Sequence, residues 1–458
     1  MPELSFYDII VGFILFFFIV LIGIYIQVIN KNEHPEYRFF AWGLSVRLLG
    51  AIGFAMIYLY YYGGGDTINY FQSSLALVNL FSKSPDAFFS ILAGHLTPEN
   101  YSYFDNTTGY PLYFRDPWAY SVVRYSVIFI FLGAKSFLGT TLVLAAVSYA
   151  FVWRFYRFLV KQYPHYTSEL AVAVLFFPSV IFWGSGLLKD NYTFFSSLML
   201  FVASFNIFVI RRKIIVNVVS LIFFSYIILT IKPYIFFIEL VVISITLFHY
   251  YIVSIRNIFV KFIVFPIVAL ILIGGSSFVI VQVGTMAGGF YTSLDESLKM
   301  ASVKQEDLTQ SYYNGHSYNI GYFEPTISGV LGKVAPATIA GLYRPFIWEA
   351  GNIVMLVSGV ETLLLLFLSI YLVLFVVRSF IFKGVGHTIH LLFGDSILVF
   401  SVFYVFLFAF VVGLTSSNFG ALVRYKIPYF SFFLILLLVQ IRRFQEDAKK
   451  TSSNDKLI

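Results

Sequence analysis

The sequence contains no cysteine and little charge, and these two absences narrow the class of protein. Of the 458 residues, 12% are charged and 59% are hydrophobic, and the mean hydropathy is +0.84. Without cysteine the chain has no disulfide bond, no thiolate metal site and no acylation on cysteine. So few charges do not suffice for the polar surface of a water-soluble globule. The composition therefore predicts a multi-pass protein embedded in the lipid bilayer.

Aromatic and basic residues favour the same class. Aromatics make up 20% of the chain, with 55 Phe and 33 Tyr, which is typical of lipid-embedded helices with tyrosines at the interfaces. The net charge is +7, and the lysines and arginines cluster in short turns between apolar runs, where the positive-inside rule accounts for them. We therefore expect no nucleic-acid partner.

The apolar runs predict an all-α bundle of about eleven transmembrane helices. The predicted spans cover about residues 8–29, 40–62, 136–158, 169–188, 191–210, 214–231, 234–253, 258–282, 351–376, 388–413 and 426–441. The basic turns at alternate ends place the N-terminus outside and the C-terminus inside. Residues 119–134 also form an apolar run, but it is short and carries Arg124, so we interpret it as an interfacial or re-entrant helix.

The remaining segments complete the predicted organisation. Residues 1–443 form a single transmembrane domain with two outer segments, at about 63–135 and 283–346, which contain interfacial helices. The polar tail at 444–458 is predicted to be cytoplasmic and disordered.

Charged residues recur at the outer ends of the predicted helices, against the usual bias for Lys and Arg. They are Asp66, Arg115, Asp116, Lys189, Asp190, Lys232, Arg344, Glu349 and Arg424. An ionisable side chain at the centre of a membrane helix costs roughly 2.5–3.5 kcal/mol on insertion scales, so such residues usually lie at an interface or line a site. A shared outward-facing site explains the set most simply.

The charged residues in the first half of the chain also allow purely structural interpretations. Lys189 and Asp190 also suit a solvated helix end, with the lysine reaching the lipid head groups. Arg115 and Asp116 also suit an ion pair within a loop, and Lys232 suits an interfacial cation in a tight turn.

The same holds for the other residues. Arg344 and Glu349 are five residues apart and suit a structural pair, whereas Arg424 at an outer helix start runs against the topology signal. Asp66 follows three glycines and also suits a helix cap. The deeper charges Arg47, Glu239 and Glu361 are either packing residues or part of a substrate path.

One carboxylate among many cations at the outer face of a bundle suits transfer from a polyprenyl-phosphate or polyprenyl-diphosphate sugar. The leaving group is anionic, and Lys and Arg bind such a group, in the case of Arg with two parallel hydrogen bonds. A carboxylate can deprotonate the acceptor hydroxyl, and Asp66 is the candidate for that role. A lipid-linked donor also explains a site at the membrane edge.

Four stretches resemble a known group of proteins. They are Gly65 to Tyr70, Pro178 to Asp190, Lys232-Pro233-Tyr234 and Asn418 to Pro428. The outer Asp66, the stretch Tyr125 to Leu138 with a following helix that ends in Arg154 and Arg157, and the many-span layout resemble GT-C-type integral membrane glycosyltransferases. Within that group, the four stretches resemble the EpsG-like and O-antigen-polymerase-like bacterial proteins of surface polysaccharide synthesis.

The resemblance implies a multi-pass protein of the bacterial cytoplasmic membrane with a polyprenyl-linked sugar as substrate. It also implies that the acidic residue of the first outer loop, here Asp66, acts as base or metal ligand. Many members of the group carry a second acidic residue beside the first, but Thr67 stands there in this sequence. No cofactor is therefore expected, with a divalent metal left open. Outer arginines are the functional residues expected in polymerases, and Arg344 and Arg424 match that expectation.

The sequence therefore predicts a glycosyl-transferring membrane enzyme, with a polymerase of lipid-linked repeat units preferred over a transferase that adds one sugar. Asp66 is the predicted catalytic residue. The predicted phosphate- or sugar-binding residues are Lys189, Asp190, Lys232, Arg344, Glu349, Arg424 and Arg115. Two other classes stay open, a transporter or flippase of lipid-linked sugars and a structural subunit of an envelope complex. A transporter would need an inverted repeat and charges near the midplane.

Overall fold

The computed structural model describes residues 4–255, 257, 260, 294–308, 310 and 317–454. Within these ranges the chain is helical, and β-pairing is limited to an isolated antiparallel bridge between Ser317 and Asn418. The predicted all-α class is confirmed.

The helices up to residue 254 are introduced in chain order. They are α1 (Phe6–Asn30), α2 (Phe40–Met56), α3 (Asp66–Lys83), α4 (Pro85–Ala93), α5 (Pro98–Tyr101), α6 (Pro117–Leu132), α7 (Phe137–Gln162), α8 (Thr167–Ala171), α9 (Pro178–Trp183), α10 (Lys189–Phe208), α11 (Ile214–Ile231) and α12 (Pro233–Ser254).

The remaining helices follow residue 293. They are α13 (Leu294–Asp307), α14 (Ile327–Leu331), α15 (Val334–Tyr343), α16 (Ile353–Lys383), α17 (Val385–Phe393), α18 (Ser396–Thr415), α19 (Phe419–Tyr425) and α20 (Ile427–Asn454).

Nine helices in the part of the chain that the structure describes are long and apolar enough to cross a membrane. They are α1, α2 with its flanking turns, α7, α10, α11, α12, α16, α18 and α20. Such helices satisfy their backbone hydrogen bonds internally, as a membrane requires. The chain is thus a multi-pass membrane protein. These nine helices match nine of the eleven predicted spans, and the predicted span at 258–282 falls outside the described residues except for residue 260.

The predicted continuous span at 169–188 is an interrupted helix in the structure. Helix α8 passes into a π-helical turn, Val172–Phe176, and α9 begins only at Pro178. Proline lacks a backbone N–H and pushes the preceding residue out of the helical region, and Phe177 accordingly has φ −76° and ψ 125°. After α9 the backbone is irregular over residues 184–188, until α10 begins at Lys189.

Two further predicted boundaries differ. The predicted span at 388–413 is divided into α17 and α18, because Asp395 caps the second helix by accepting from the backbone N–H groups of Ile397 and Leu398. The predicted disordered tail is helical as far as Asn454, where the described residues end. Residues 442–450 are rich in good helix formers, and extending an existing helix needs no new nucleation.

The chain divides into two compact units. The first comprises Met1–Val202 and Ser220–Lys232, and the second comprises Ala203–Val219 and Pro233–Ile458. In the first unit α1, α2 and α7 pack against one another, α6 packs against both α3 and α7, and α9 packs against α2. In the second, α18 is central and contacts α12, α15 and α20, while α16 packs on α20.

Helix α1 is held mainly at its ends. At one end the Phe137 backbone N–H donates to Asp8 (2.7 Å) and the Tyr7 hydroxyl donates to the Ala134 carbonyl (2.7 Å). Near the other end the Ala41 backbone N–H donates to Gln27 (2.9 Å). The buried residues of this helix are two glycines, Gly12 and Gly23.

Candidate functional site

The turn before α3 delivers Asp66 to its position. Gly63, Gly64 and Gly65 have φ values of 66°, 148° and 117°, a region that favours glycine. Gly65 occupies the N-cap position, and Asp66 is the first residue of α3. The helix thus begins at Asp66 rather than at Thr67, and Asp66 is not its N-cap residue. Nearby, Ile68 belongs to an apolar cluster with residues of α2 and α7, which fixes the start of α3.

Tyr113 binds the Asp66 carboxylate. Its hydroxyl donates to Asp66 Oδ1 at 2.9 Å and accepts from Asn69 Nδ2 at 3.4 Å. Its ring lies against the ring of Tyr70, with 4.7 Å between centroids. Burial, together with the negative charge of Asp66, raises the pKa of Tyr113 above its usual range. The hydroxyl therefore stays protonated and donates to a carboxylate that is only partly buried.

Lys189 pairs with Asp116. The Nζ–Oδ2 distance is 3.8 Å, and a quarter of the Lys189 side chain and half of the Asp116 side chain are exposed. Asp116 also caps α6, because its Oδ1 accepts from the backbone N–H groups of Trp118 and Ala119 at 3.0 Å each. The alternative pairing of Arg115 with Asp116 is therefore not formed, and Arg115 is exposed.

Lys232 and Asp190 form a buried ion pair. The Nζ–Oδ1 distance is 2.5 Å, and the two side chains are 10% and 5% exposed. Asp190 is the second residue of α10, and Lys232 directly follows α11, so the pair joins two helix ends. Breaking such a pair leaves an uncompensated charge in a buried place, which is strongly unfavourable.

These residues form one group, which we call the Asp66 cluster: Asp66, Tyr113, Asp116, Lys189, Asp190 and Lys232. Its centre is Lys189, since the charges of Asp66, Asp116, Asp190 and Lys232 all act on the Lys189 ammonium. Two of the three carboxylates, Asp116 and Asp190, each pair with a lysine. Asp66 accepts from the phenol of Tyr113. The cluster therefore holds a carboxylate, Asp66, and an ammonium, Lys189, within electrostatic range of each other at helix starts.

A second group, in the second unit, surrounds Arg344. The Arg344 Nε lies 3.4 Å from Glu349 Oε1, and its guanidinium lies over the Tyr318 ring at 5.1 Å and the Phe346 ring at 5.8 Å. Lys426 is fully buried and donates through Nζ to the Arg344 carbonyl. We call these residues the Arg344 cluster.

Glu361 extends the Arg344 cluster, and Arg424 lies close to it in the chain. Glu361, a buried residue of α16, acts on the charge of Lys426 together with Glu349. Arg424 lies on α19, two residues before Lys426, and is half-buried. The sequence thus suggested the pair of Arg344 and Glu349, but it left open whether Glu361 is a packing residue or part of a substrate path.

The predicted site residues therefore fall into two sets. Asp66, Lys189, Asp190 and Lys232 come together in the first unit, and Arg344 and Glu349 come together in the second. Tyr113 was missed, because its contact with Asp66 spans 47 positions and no periodic pattern marks it. Lys426 lies in the stretch Asn418 to Pro428, but nothing in the spacing of that stretch indicated that the lysine is buried.

Over the described ranges, no three His, Asp or Glu side chains are grouped so that they could hold a metal ion. No protein-family model matches the sequence, no curated protein matches it, and no solved structure matches its fold. The arrangement therefore defines a helical multi-pass membrane protein with charged clusters at its helix ends, and its function has to be argued from its own residues.

Proposed function

We propose that this protein is a membrane-embedded glycosyltransferase that uses a polyprenyl-phosphate- or polyprenyl-diphosphate-linked sugar as donor and a hydroxyl group as acceptor. The observation that carries the proposal is the position of the Asp66 carboxylate. The Tyr113 hydroxyl donates to its Oδ1 at 2.9 Å, and the carboxylate interacts electrostatically with the Lys189 ammonium. In this proposal the cluster faces the outer side of a bacterial cytoplasmic membrane, and the reaction belongs to surface polysaccharide assembly, with polymerisation of lipid-linked repeat units preferred.

The roles follow from the charges. The acceptor oxygen bonds to C1 of the donor sugar as the bond between C1 and the phosphate oxygen breaks, and the electron pair of that bond leaves with the phosphate. The acceptor proton passes to Asp66, held by its hydrogen bond from Tyr113. Lys189, with a quarter of its side chain exposed, neutralises the developing negative charge on the leaving phosphate.

Asp190 and Lys232 take a supporting role in this proposal. Their side chains are buried and paired with each other, so they hold the start of α10 against the end of α11. Lys189, one residue earlier, is thereby held at the cluster. Arg115 is exposed and one residue from Asp116, where it suits contact with a bound phosphate or sugar. The proposal uses no cofactor.

In the second unit, Arg344, Glu349 and Arg424 are assigned to binding the lipid-linked phosphate or its sugars. The planar guanidinium of Arg344 is three-quarters buried between two aromatic rings, which pre-orders it for binding an oxyanion.

The test is transfer by the purified protein in lipid nanodiscs, with lipid-linked glycans extracted from cells that express it as both donor and acceptor. Asp66→Asn keeps the size and polarity of the side chain but cannot accept the proton. We expect the rate to fall about 10²- to 10⁴-fold, the usual contribution of a general base. The matched control is Asp86→Asn, which alters an exposed carboxylate in the first turn of α4 and should leave the rate unchanged. An Asp66→Asn variant as active as wild type removes Asp66 from the mechanism, and a wild-type protein without transfer overturns the proposal.

A transporter or flippase of lipid-linked sugars is the second candidate, and the interrupted helix α8–α9 favours it, because discontinuous membrane helices are common at transporter sites. The same nanodisc preparation, reconstituted into vesicles, distinguishes the two. Movement of the lipid-linked sugar between leaflets without any new glycosidic bond would identify a transporter.

A further inference from the structure

Arg47 is an arginine in the interior of the membrane helix α2, and it is 2% exposed. Its Nη1 donates to the Val180 carbonyl at 3.1 Å. Its Nη2 donates to the Gly184 carbonyl, to Ser148 Oγ at 2.7 Å and to Asn191 Oδ1 at 3.5 Å. All four partners are neutral oxygens, and they lie on or beside three other elements of the first unit, α7, α9 and α10.

The position of these partners explains why a guanidinium is there. Helix α9 ends at Trp183, and the Gly184 carbonyl that follows has no backbone N–H partner within the described residues. Buried carbonyls without a donor are costly in a membrane protein, since lipid supplies none. Arg47 supplies a donor to the Gly184 carbonyl from the neighbouring helix, and it is a second donor to the Val180 carbonyl, which also accepts from the Gly184 backbone N–H.

Asn191 holds the same irregular segment from its other end. Its Nδ2 donates to the Gly186 carbonyl at 3.0 Å, while its Oδ1 accepts from Ser148 Oγ at 2.7 Å. Ser148 and Asn191 are both fully buried. Arg47 therefore binds the segment 184–188 at Gly184, and Asn191 binds it at Gly186. Asn191 lies two positions after Lys189 in the chain.

The packing of the segment leaves no room for adjustment. A Cβ atom on Gly184 would lie 3.1 Å from both terminal nitrogens of Arg47 and 2.5 Å from the Val180 carbonyl oxygen. A Cβ atom on Gly186 would overlap the ring of Phe54. The backbone path into α10 is thus fixed by side chains from α2 and α7, and with it the place where Lys189 and Asp190 emerge.

We infer that Arg47 is a positioning residue, which fixes residues 184–188 so that Lys189 is presented to Asp66 and Asp116. Its effect on transfer rests on the proposed function, whereas its effect on the position of Lys189 does not. A residue that merely stabilises the bundle would lower the amount of folded protein without changing the surroundings of Lys189 in the molecules that remain folded.

The first test uses the absence of cysteine. Lys189→Cys introduces a single thiol, and its rate of modification by a water-soluble maleimide is measured in detergent with Arg47 intact, with Arg47→Lys and with Arg47→Gln. We expect the rate to change by about tenfold with Arg47→Gln, the effect of losing one charge-assisted hydrogen bond from the closed arrangement, and by less with Arg47→Lys. Ser102→Cys, at an exposed position, gives the reference rate.

A second reporter separates a local change from unfolding. Ser126 is fully buried in α6, so Ser126→Cys should stay unreactive in the Arg47 variants as long as the first unit is folded. If Arg47→Gln exposes that thiol, Ser148→Ala decides instead, because it removes one partner of the guanidinium. A Lys189→Cys rate within about twofold of the parent in every variant that keeps Ser126→Cys protected overturns the inference.

The third measurement is a double-mutant cycle on transfer, with Arg47→Gln and Lys189→Met. If Arg47 acts through Lys189, the double variant should be no slower than Lys189→Met by more than about twofold, whereas independent effects multiply. Multiplying losses overturn the inference. If the wild-type protein transfers no sugar, the proposed function fails, and the thiol measurement still decides the role of Arg47.

Discussion

The hydroxyl of Tyr113 donates a 2.9 Å hydrogen bond to Asp66, joining the loop before α6 to the first residue of α3. The phenol ring is itself held against Tyr70. A carboxylate oriented by a half-buried donor is held to accept a proton from one direction, which a general base requires.

Removing that hydroxyl is the first prediction. Tyr113→Phe keeps the ring contact with Tyr70 but leaves Asp66 without this donor, and a hydrogen bond to a charged group contributes about 1.5–3 kcal/mol. We expect transfer to slow by roughly 10- to 100-fold at an unchanged protein level. Tyr110→Phe, an exposed tyrosine in the same loop, is the matched control. Equal rates for Tyr113→Phe and wild type would show that the orientation of Asp66 is unimportant.

The second prediction concerns the buried pair of Asp190 and Lys232. Lys232→Met leaves the Asp190 carboxylate buried without its ammonium, so we expect a loss of about 3–5 kcal/mol of stability. The double variant Asp190→Asn, Lys232→Met removes both charges and should recover most of that loss. Denaturation midpoints of the purified proteins in one detergent give the comparison. If the double variant is no more stable than Lys232→Met, the pair is not structural, and Lys232 would be assigned to substrate binding instead.

The third prediction addresses Arg344. Arg344→Lys keeps the charge but loses the planar fork and the contacts with the Tyr318 and Phe346 rings, so we expect transfer to fall by about tenfold or more. Arg378→Lys, at an exposed position of α16, is the control and should be neutral. Full activity of Arg344→Lys would mean that a point charge suffices, and it would argue against two-pronged binding of a phosphate.

The fourth prediction is the topology. Single cysteines near residues 105 and 310 should be labelled from outside intact cells, and those near 212 and 380 only after the membrane is opened, because the basic turns remain in the cytoplasm. The cysteine-free background makes each label unambiguous. If residue 380 is labelled from outside, the membrane orientation of the second unit is opposite to the predicted one, and the Arg344 cluster does not face the outside.

The sequence is most informative where one physical signal acts alone. Long apolar runs predicted the nine helices of the described residues that are long and apolar enough to span a membrane, because lipid forces each apolar stretch to satisfy its own backbone. The triple glycine before Asp66 is a local signal of the same kind, because glycine adopts positive φ without strain, and all three glycines have positive φ. The pairing of Arg344 with Glu349 was also visible, since five positions separate them.

Signals that depend on the tertiary fold were not visible in the same way. Pro178 was present as a helix breaker, but the apolar run through 169–188 outweighed it. The side-chain donors from Arg47 and Asn191 show how the break is accommodated. The choice of Lys189 rather than Arg115 as partner of Asp116 depends on how the loop before α6 lies against α10. Neither contact leaves a periodic pattern in the chain.

Helix α1 shows how unevenly amino-acid identity matters along an apolar run. Its middle is mostly exposed and needs only side chains that lipid accepts, so many apolar substitutions there should be silent. Identity matters at Asp8 and Gln27, which tie the helix to its neighbours, and at Gly12 and Gly23, where a Cβ would meet leucine side chains at 3.0 and 2.6 Å. The most hydrophobic stretch of the first unit is thus the one whose residues are the most interchangeable. Substitutions should be tolerated in the middle of the helix and poorly tolerated at these few positions.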